Sequence, residues 1–400
     1  METETREMGP QPARRAGDQR VSPLELFFDL IFVLSFTQVT LKMAQDPGWA
    51  NLGEGILILA AVWWAWAAYG WLTNSIDPDE NLNRICVFAA MAAMLLVSLT
   101  IPDAFGDRGV LFGCSYFFVR AMHLVLYVRN TRGADEGGDL QAILKLAPGF
   151  LLGSALLIVA GLLDDGARSS VWIIAILVDW STPLLFGTAE FNLDPRHFAE
   201  RHGLIVLIAL GESVLAIGAA AGFTVSTGQA FAAVFGIGAV AALWWAYFDV
   251  VAIVAERRLA EAPPGEQGPL ARDAYSYLHY PFIAGIVLLA LGLKETLAHT
   301  GDQLETVPAI ALCCGPALYL IGHIAFRERV LGTFSPHRTL ASVALLALIP
   351  LALGADALGA LAAVTFVLGV LIAYEATHFR EARARVRTNP SATLAEMRGG

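Results

Sequence analysis

Polar residues are sparse along most of this chain and arrive in short bursts between long apolar stretches. The stretches fall at 24–43, 53–73, 84–101, 109–128, 141–163, 169–188, 202–222, 228–254, 274–297, 306–326, 338–354 and 357–378, with the weakest break at Gly354-Ala355-Asp356. About 20 mostly apolar residues cross the hydrocarbon core as a helix, and only helices or closed barrels satisfy their backbone groups in lipid. The stretches are continuously apolar, so the expected fold is all-α: a polytopic transmembrane bundle of about twelve helices.

Composition supports the bilayer as the solvent. Hydrophobic residues make up 56% of the 400, charged residues only 16%, and the mean hydropathy is +0.59. The net charge of −10 comes from carboxylates scattered through loops and helices, and the chain offers no basic surface for nucleic acid. Cys86, Cys114, Cys313 and Cys314 lie in apolar runs without C-x-x-C spacing, so they read as small apolar residues, and neither a metal nor a cofactor is expected.

Residues 1–20 are polar, carry four arginines and lack the apolar centre of a signal peptide; they read as a cytoplasmic arm, and 381–400 as a cytoplasmic tail. Positive residues are retained in the cytoplasm. With both termini inside, 21 of the 26 Lys and Arg fall on the cytoplasmic side and four outside (Lys42, Arg108, Arg168 and Lys294), while Arg120 lies within a span. Arg201 and Arg338 are counted among the cytoplasmic connections. A multi-pass protein of the cell membrane, with the bilayer as its first partner, is the expectation.

Two segments resemble each other. AAVWWAWAAYG at 60–70 in the second stretch is similar to AALWWAYFDVV at 241–251 in the eighth, and His123 and His323 fall at matching places in the fourth and tenth. These matches predict two six-helix halves, 21–190 and 191–380. Six is even, so the halves should run in parallel, as in some transporters.

Charges inside the stretches are the candidate chemistry, because each costs on the order of 2.5–3.5 kcal/mol at a span centre on insertion scales. The first stretch opens SPLELFFDLIFVLSFTQVT, where Ser22 and Pro23 suit a helix start and Glu25 and Asp29 share one face, continued by Thr37. Arg120 and His123 share a face of the fourth stretch, Asp179 lies in the sixth, and Glu212 in the seventh, with Gly203, Gly211 and Gly218 offering close helix approach there. The expected partners of Arg120 are Asp29, Asp179 or Glu212, and a proton-dependent Glu212–Arg120 pair is the mechanism the sequence suggests. Asp249 could equally snorkel to the interface, and Glu375-x-x-His378 reads as an interfacial polar turn. His197 and His202 with Glu200 lack metal-binding spacing.

ELFFDLIFVLSFTQVT (25–40) and RHGLIVLIALGESVLAIG (201–218) are similar to two motifs of the bacterial low temperature requirement A family, and the resemblance covers roughly residues 20–380. It implies a multi-pass membrane protein in which Glu25, Asp29, Glu200 and Glu212 are motif acids without an assigned role. The functional expectation is a secondary transporter or ion-coupled permease for an unknown small solute or ion, not an enzyme. The rivals are a channel or sensor with structural charges and, behind it, an intramembrane enzyme.

Overall fold

Spans 1, 7, 8 and 12 begin where a side chain serves the unpaired backbone N–H groups of a first turn. At span 1 the Ser22 hydroxyl accepts from the Glu25 N–H at 3.3 Å, the Glu25 carboxylate accepts from the Ser22 N–H at 2.9 Å, and Pro23 occupies the first turn. Ser226 and Gln229 form the same reciprocal cap for span 8. Asp194 caps span 7 by accepting from the N–H groups of Arg196 (3.0 Å) and His197 (3.2 Å), followed by Pro195.

The computed structural model describes residues 21–78, 80–131, 138–191, 193–221, 225–263 and 265–388; the expected arm at 1–20 and the end of the tail, 389–400, lie outside the described residues. Twelve helices are long and apolar enough to cross a membrane: span 1 Pro23–Gln45, span 2 Trp49–Ser75, span 3 Asn81–Asp103, span 4 Gly109–Thr131, span 5 Leu140–Gly161, span 6 Gly166–Phe186, span 7 Pro195–Ala220, span 8 Thr227–Ala260, span 9 Gln267–Ala298, span 10 Thr306–Leu331, span 11 Pro336–Gly354 and span 12 Ala357–His378. Strands are absent among the described residues, which hold one isolated bridge, Gln303 to Asp356.

Three spans are interrupted. Span 8 breaks at Asp249 and Val250 before resuming at Val251–Ala260, and span 9 passes through a π-helical segment, Ala271–Tyr277. Span 11 shifts axis at Leu348, beside Pro350, which has no N–H to give. The expected C-terminal tail is in part a helix, Arg380–Thr388, whose Arg383 and Val386 are buried. Alternating Arg and apolar positions there hid an amphipathic turn within a polar stretch.

Spans 2 and 9 are the innermost, each with 78% of its most apolar window buried, whereas spans 6 and 11 bury 28%. The outer faces are correspondingly apolar, with Leu185, Phe366 and Leu340 more than two-thirds exposed (75%, 71% and 71%). An apolar exterior of this extent is stable only against lipid.

Among spans 1–6, span 1 packs on 2 and 3, 3 on 4, 4 on 5, 5 on 6 and 2 on 6; among spans 7–12, 7 packs on 8 and 9, 9 on 10, 10 on 11, 11 on 12 and 8 on 12. The two groups meet where spans 1 and 2 touch 7 and 9. Close backbone approach uses other glycines than the three expected in span 7. A side chain at Gly211 or Gly218 meets nothing within 4 Å, but a Cβ on Gly113 of span 4 would stand 2.6 Å from the Ile158 backbone of span 5, and one on Gly285 of span 9 at 2.6 Å from the Gly315 carbonyl of span 10.

Candidate functional site

Because span 7 starts at Pro195, Arg201 lies in its second turn and faces span 1 rather than a loop. Its guanidinium donates to Glu25 at 3.0 Å, to Asp29 at 2.5 Å and to the Thr73 hydroxyl of span 2 at 2.8 Å. All three charged residues are at most 2% exposed. Trp66 of span 2 adds an N–H to Asp29 at 2.8 Å and lies under the guanidinium, while His197 meets Glu25 at 3.2 Å. Asn74 of span 2 holds the other nitrogen of His197, at 3.2 Å. Two carboxylates thus share one guanidinium, and Oδ2 of Asp29 has no hydrogen-bond partner. The cluster is neutral only when it carries one further proton, on His197 or on a carboxyl.

Eleven residues further along span 7, Glu212 meets Thr37, twelve residues beyond Glu25 on span 1. The matching order of the two contacts means that spans 1 and 7 lie side by side in the same direction. Glu212 is 2% exposed and makes no ion pair among the described residues. Its Oε2 hydrogen-bonds Thr37, whose hydroxyl also lies 3.0 Å from the Val33 carbonyl. A hydroxyl carries one hydrogen and cannot donate to both. Span 7 has its midpoint between Leu207 and Ile208, so at 1.5 Å per residue Glu212 lies roughly 7 Å beyond the middle, still inside the hydrocarbon core.

Arg120 and Asp179 form a separate site in the first half. They pair at 2.9 Å between spans 4 and 6, with Arg120 wholly buried and its guanidinium 4.5 Å from the Phe150 ring centre. Tyr116 lies 3.4 Å from the second oxygen of Asp179. Gly153 permits this arrangement, since a Cβ there would come within 2.8 Å of the Asp179 Cβ. His123 stacks near Tyr69 and Tyr127, at 5.8 Å from each.

Spans 8, 11 and 12 hold ion pairs of their own. Arg338 of span 11 donates to both oxygens of Glu375 in span 12, at 2.7 and 3.1 Å, and His337 adds a 2.9 Å contact. Asp249, at the break in span 8, accepts from Arg383 and Arg387 of the C-terminal helix at 2.5 and 3.1 Å. His323, like His123, packs on a tyrosine of its half, Tyr247, at 5.9 Å.

These positions correct several expectations. Of the three expected partners of Arg120 the structure selects Asp179, while Asp29 pairs with Arg201 and Glu212 with a hydroxyl, so the expected Glu212–Arg120 pair is not formed and these residues do not share one site. The reason is adjacency, since span 7 lies against span 1 whereas Arg120 faces span 6. Arg201 and Arg338 belong to buried pairs, and Glu375 is the partner of Arg338 instead of a free interfacial turn. Glu25, Asp29 and Glu212 are buried, but the fourth motif acid, Glu200, is exposed. The cue for Arg201 was Asp194-Pro195, a cap and first-turn pair that starts the helix before its apolar run.

Trp63 of the repeated segment and Trp71 just beyond it share one partner. Both donate to Ser276, to its carbonyl at 2.7 Å and its hydroxyl at 2.9 Å, in the π-helical segment of span 9. Widened π turns leave backbone groups in need of such partners. Trp244, the aligned residue of Trp63, is 42% exposed on the outer face.

Twelve helices long and apolar enough to cross a membrane, with Glu25, Asp29, Arg120, Asp179 and Arg201 paired in buried interhelical clusters, define a polytopic α-helical membrane protein. The family model for the bacterial low temperature requirement A protein matches residues 20–373, and the chain belongs to that family. An uncharacterised protein of Rhizobium meliloti (strain 1021) is 28% identical over 335 residues, covering 80% of each chain. No solved structure matches the chain. Both motifs behind the resemblance meet here, with Glu25, Asp29 and Thr37 of the first against Arg201 and Glu212 of the second.

Proposed function

We propose that this chain is a proton-coupled secondary transporter of a small solute, with spans 1–6 and 7–12 as two halves running in the same direction. Glu212 carries this reading: a carboxyl inside the bilayer whose partner is a hydroxyl, with no counter-charge bonded to it among the described residues. Charge at that depth costs several kcal/mol, so the group is stable when a proton neutralises it and reactive to the loss of that proton.

Thr37 reads the change. When Glu212 is neutral its O–H donates to Thr37 Oγ1, and Thr37 donates to the Val33 carbonyl. When Glu212 is charged, the Thr37 hydrogen turns to the carboxylate and the Val33 carbonyl loses it. The switch sits on the contact between spans 1 and 7, which Arg201 joins to Glu25 and Asp29 nearer the start of both helices. A proton on Glu212 is thereby linked to the packing of one half on the other, the movement that alternating access requires.

The recurring order of helix neighbours supports the two-half reading. The Lys and Arg distribution supports both termini in the cytoplasm and a cell-membrane location. The buried ionisable groups are engaged across helices, which fits transport better than an enzyme; the partners are lipid, a small solute and the proton, not nucleic acid.

The test uses purified protein in liposomes loaded with a pH-sensitive dye. Under an imposed pH gradient, one class of added solute should move protons inward through wild type and not through Glu212→Gln inserted at the same density. If no solute moves protons through wild type, the reading is wrong.

A further inference from the structure

A cavity of about 50 Å³ lies among spans 2, 4, 5, 6 and the start of span 9, reached by Arg120 and His123. Its floor is apolar and aromatic, from Trp64, Trp71 and Phe150. Its polar lining is unusual in sign. Arg120 and Arg272 both reach it, and no Asp or Glu does. Asp179 lies behind Arg120, engaged with Nη2 alone, so Nε and Nη1 of this wholly buried guanidinium have no acceptor.

Two more buried side chains lack partners at the same wall. Neither ring nitrogen of His123 makes a hydrogen bond of good geometry, although the Ala68 carbonyl lies close to the ring. The Thr188 hydroxyl is also without a partner and 4% exposed. Thr188 reaches the cavity because Gly187 takes a left-handed φ of +79° after span 6, and because Gly268 leaves room for the Thr188 carbonyl, which would stand 1.9 Å from a Cβ there. Three buried donors on one small cavity, each unsatisfied, form an arrangement that folding alone disfavours, since each orphan costs about 1–3 kcal/mol.

A larger cavity, of about 370 Å³, among spans 8, 10, 11 and 12 sharpens the contrast. It is lined by Trp245, Asp249 and Arg327, which align with Trp64, Ala68 and Tyr127 of the first. There Asp249 and Glu375 occupy the arginines and histidine, and Arg383 of the C-terminal helix joins the lining. At the first cavity the arginines are paired too, Arg120 with Asp179 and Arg272 with Asp273, but Nε and Nη1 of Arg120 and the Thr188 hydroxyl are left without an acceptor.

We propose that the cavity between spans 2, 4, 5 and 6 binds a small monovalent anion, on the scale of formate, acetate or a halide. Arg120 supplies charge and an N–H, His123 a second donor when its proton faces the cavity, and Thr188 a hydroxyl. The volume sets the size, because a site needs roughly 10–15 Å³ of such space for one water and this one holds only a few. As the identity of the transported solute, the proposal rests on the transporter reading; as a binding site it does not.

The test is equilibrium binding by intact purified protein in detergent, with no gradient. Potassium gluconate sets the baseline, and potassium formate, acetate, chloride and nitrate are titrated in its place while tryptophan fluorescence is read, since Trp64 and Trp71 line the cavity. Wild type should give a saturable change with at least one small anion and none with gluconate. Arg120→Lys keeps a counter-charge for Asp179 but removes the spare donors, and should weaken binding by tenfold or more. Thr188→Val, at the rim, should weaken it by threefold or more with an unaltered elution profile. Absence of a saturable response in wild type, or equal affinity in both variants, overturns the site and assigns its donors to water. Binding without gradient-driven proton movement would sink the transporter reading alone.

Discussion

Arg201 and Asp29 stand 2.5 Å apart, both essentially without solvent exposure, and tie span 7 to span 1. Removing a buried ion's partner costs about 3–5 kcal/mol, whereas replacing a whole buried group by apolar residues can be neutral. Arg201→Met should therefore lower the melting temperature strongly, because Glu25 and Asp29 are left together. Arg201→Met combined with Glu25→Gln and Asp29→Asn should recover most of the loss. Thermal melting of the purified variants checks this, and a triple variant no better than Arg201→Met contradicts it.

The Arg120–Asp179 pair gives the same logic without a third charge. Arg120→Leu or Asp179→Leu alone should each destabilise by several kcal/mol, and the double variant by less than either. The measurement is a double-mutant cycle on melting temperatures. Additive losses would mean that the two side chains do not act as a pair.

Asp249 anchors the C-terminal helix through Arg383 and Arg387, of which Arg387 is half exposed. Asp249→Asn should free Arg380–Thr388, and limited trypsin digestion should then cut at Arg383 or Arg385 several-fold faster than in wild type. High salt should bring wild type toward the variant, since part of the contact is open to screening. Equal cleavage in both would show that apolar packing through Val386 holds the helix.

The twelve spans were legible because the bilayer imposes length and apolarity on each helix separately, and every expected stretch overlaps an observed span. Ser22-Pro23-Leu24-Glu25 was legible as a start for the same local reason. The pairing of charges was not, since it depends on which helices are neighbours. Glu212 and Arg120 looked like partners by depth alone, yet span 7 lies on span 1. Arg201 was hidden for another reason: with His197, Glu200 and His202 it makes a polar stretch that reads as a loop. Only the cap at Asp194 and the waiting acids of span 1 reveal it as helix. Arg338 and Arg383 were lost to the same rule, by which arginines near a span's end count as cytoplasmic.

Orientation can be checked with single cysteines in a version lacking Cys86, Cys114, Cys313 and Cys314. Cysteine at Thr300, between spans 9 and 10, should react with an impermeant thiol reagent in intact cells. Cysteine at Glu261, between spans 8 and 9, should react only after permeabilisation. The reverse pattern would place both termini outside.

The central claim is that Glu212 gains and loses a proton inside the membrane, and infrared difference spectroscopy between acid and alkaline buffer tests it most directly. The account predicts a protonated-carboxyl C=O band in wild type that disappears in Glu212→Gln, with a companion change at the Thr37 hydrogen bond that Thr37→Val removes. A wild-type difference spectrum that Glu212→Gln leaves unchanged would contradict it, and Glu212 would then be a fixed structural hydrogen bond between spans 1 and 7.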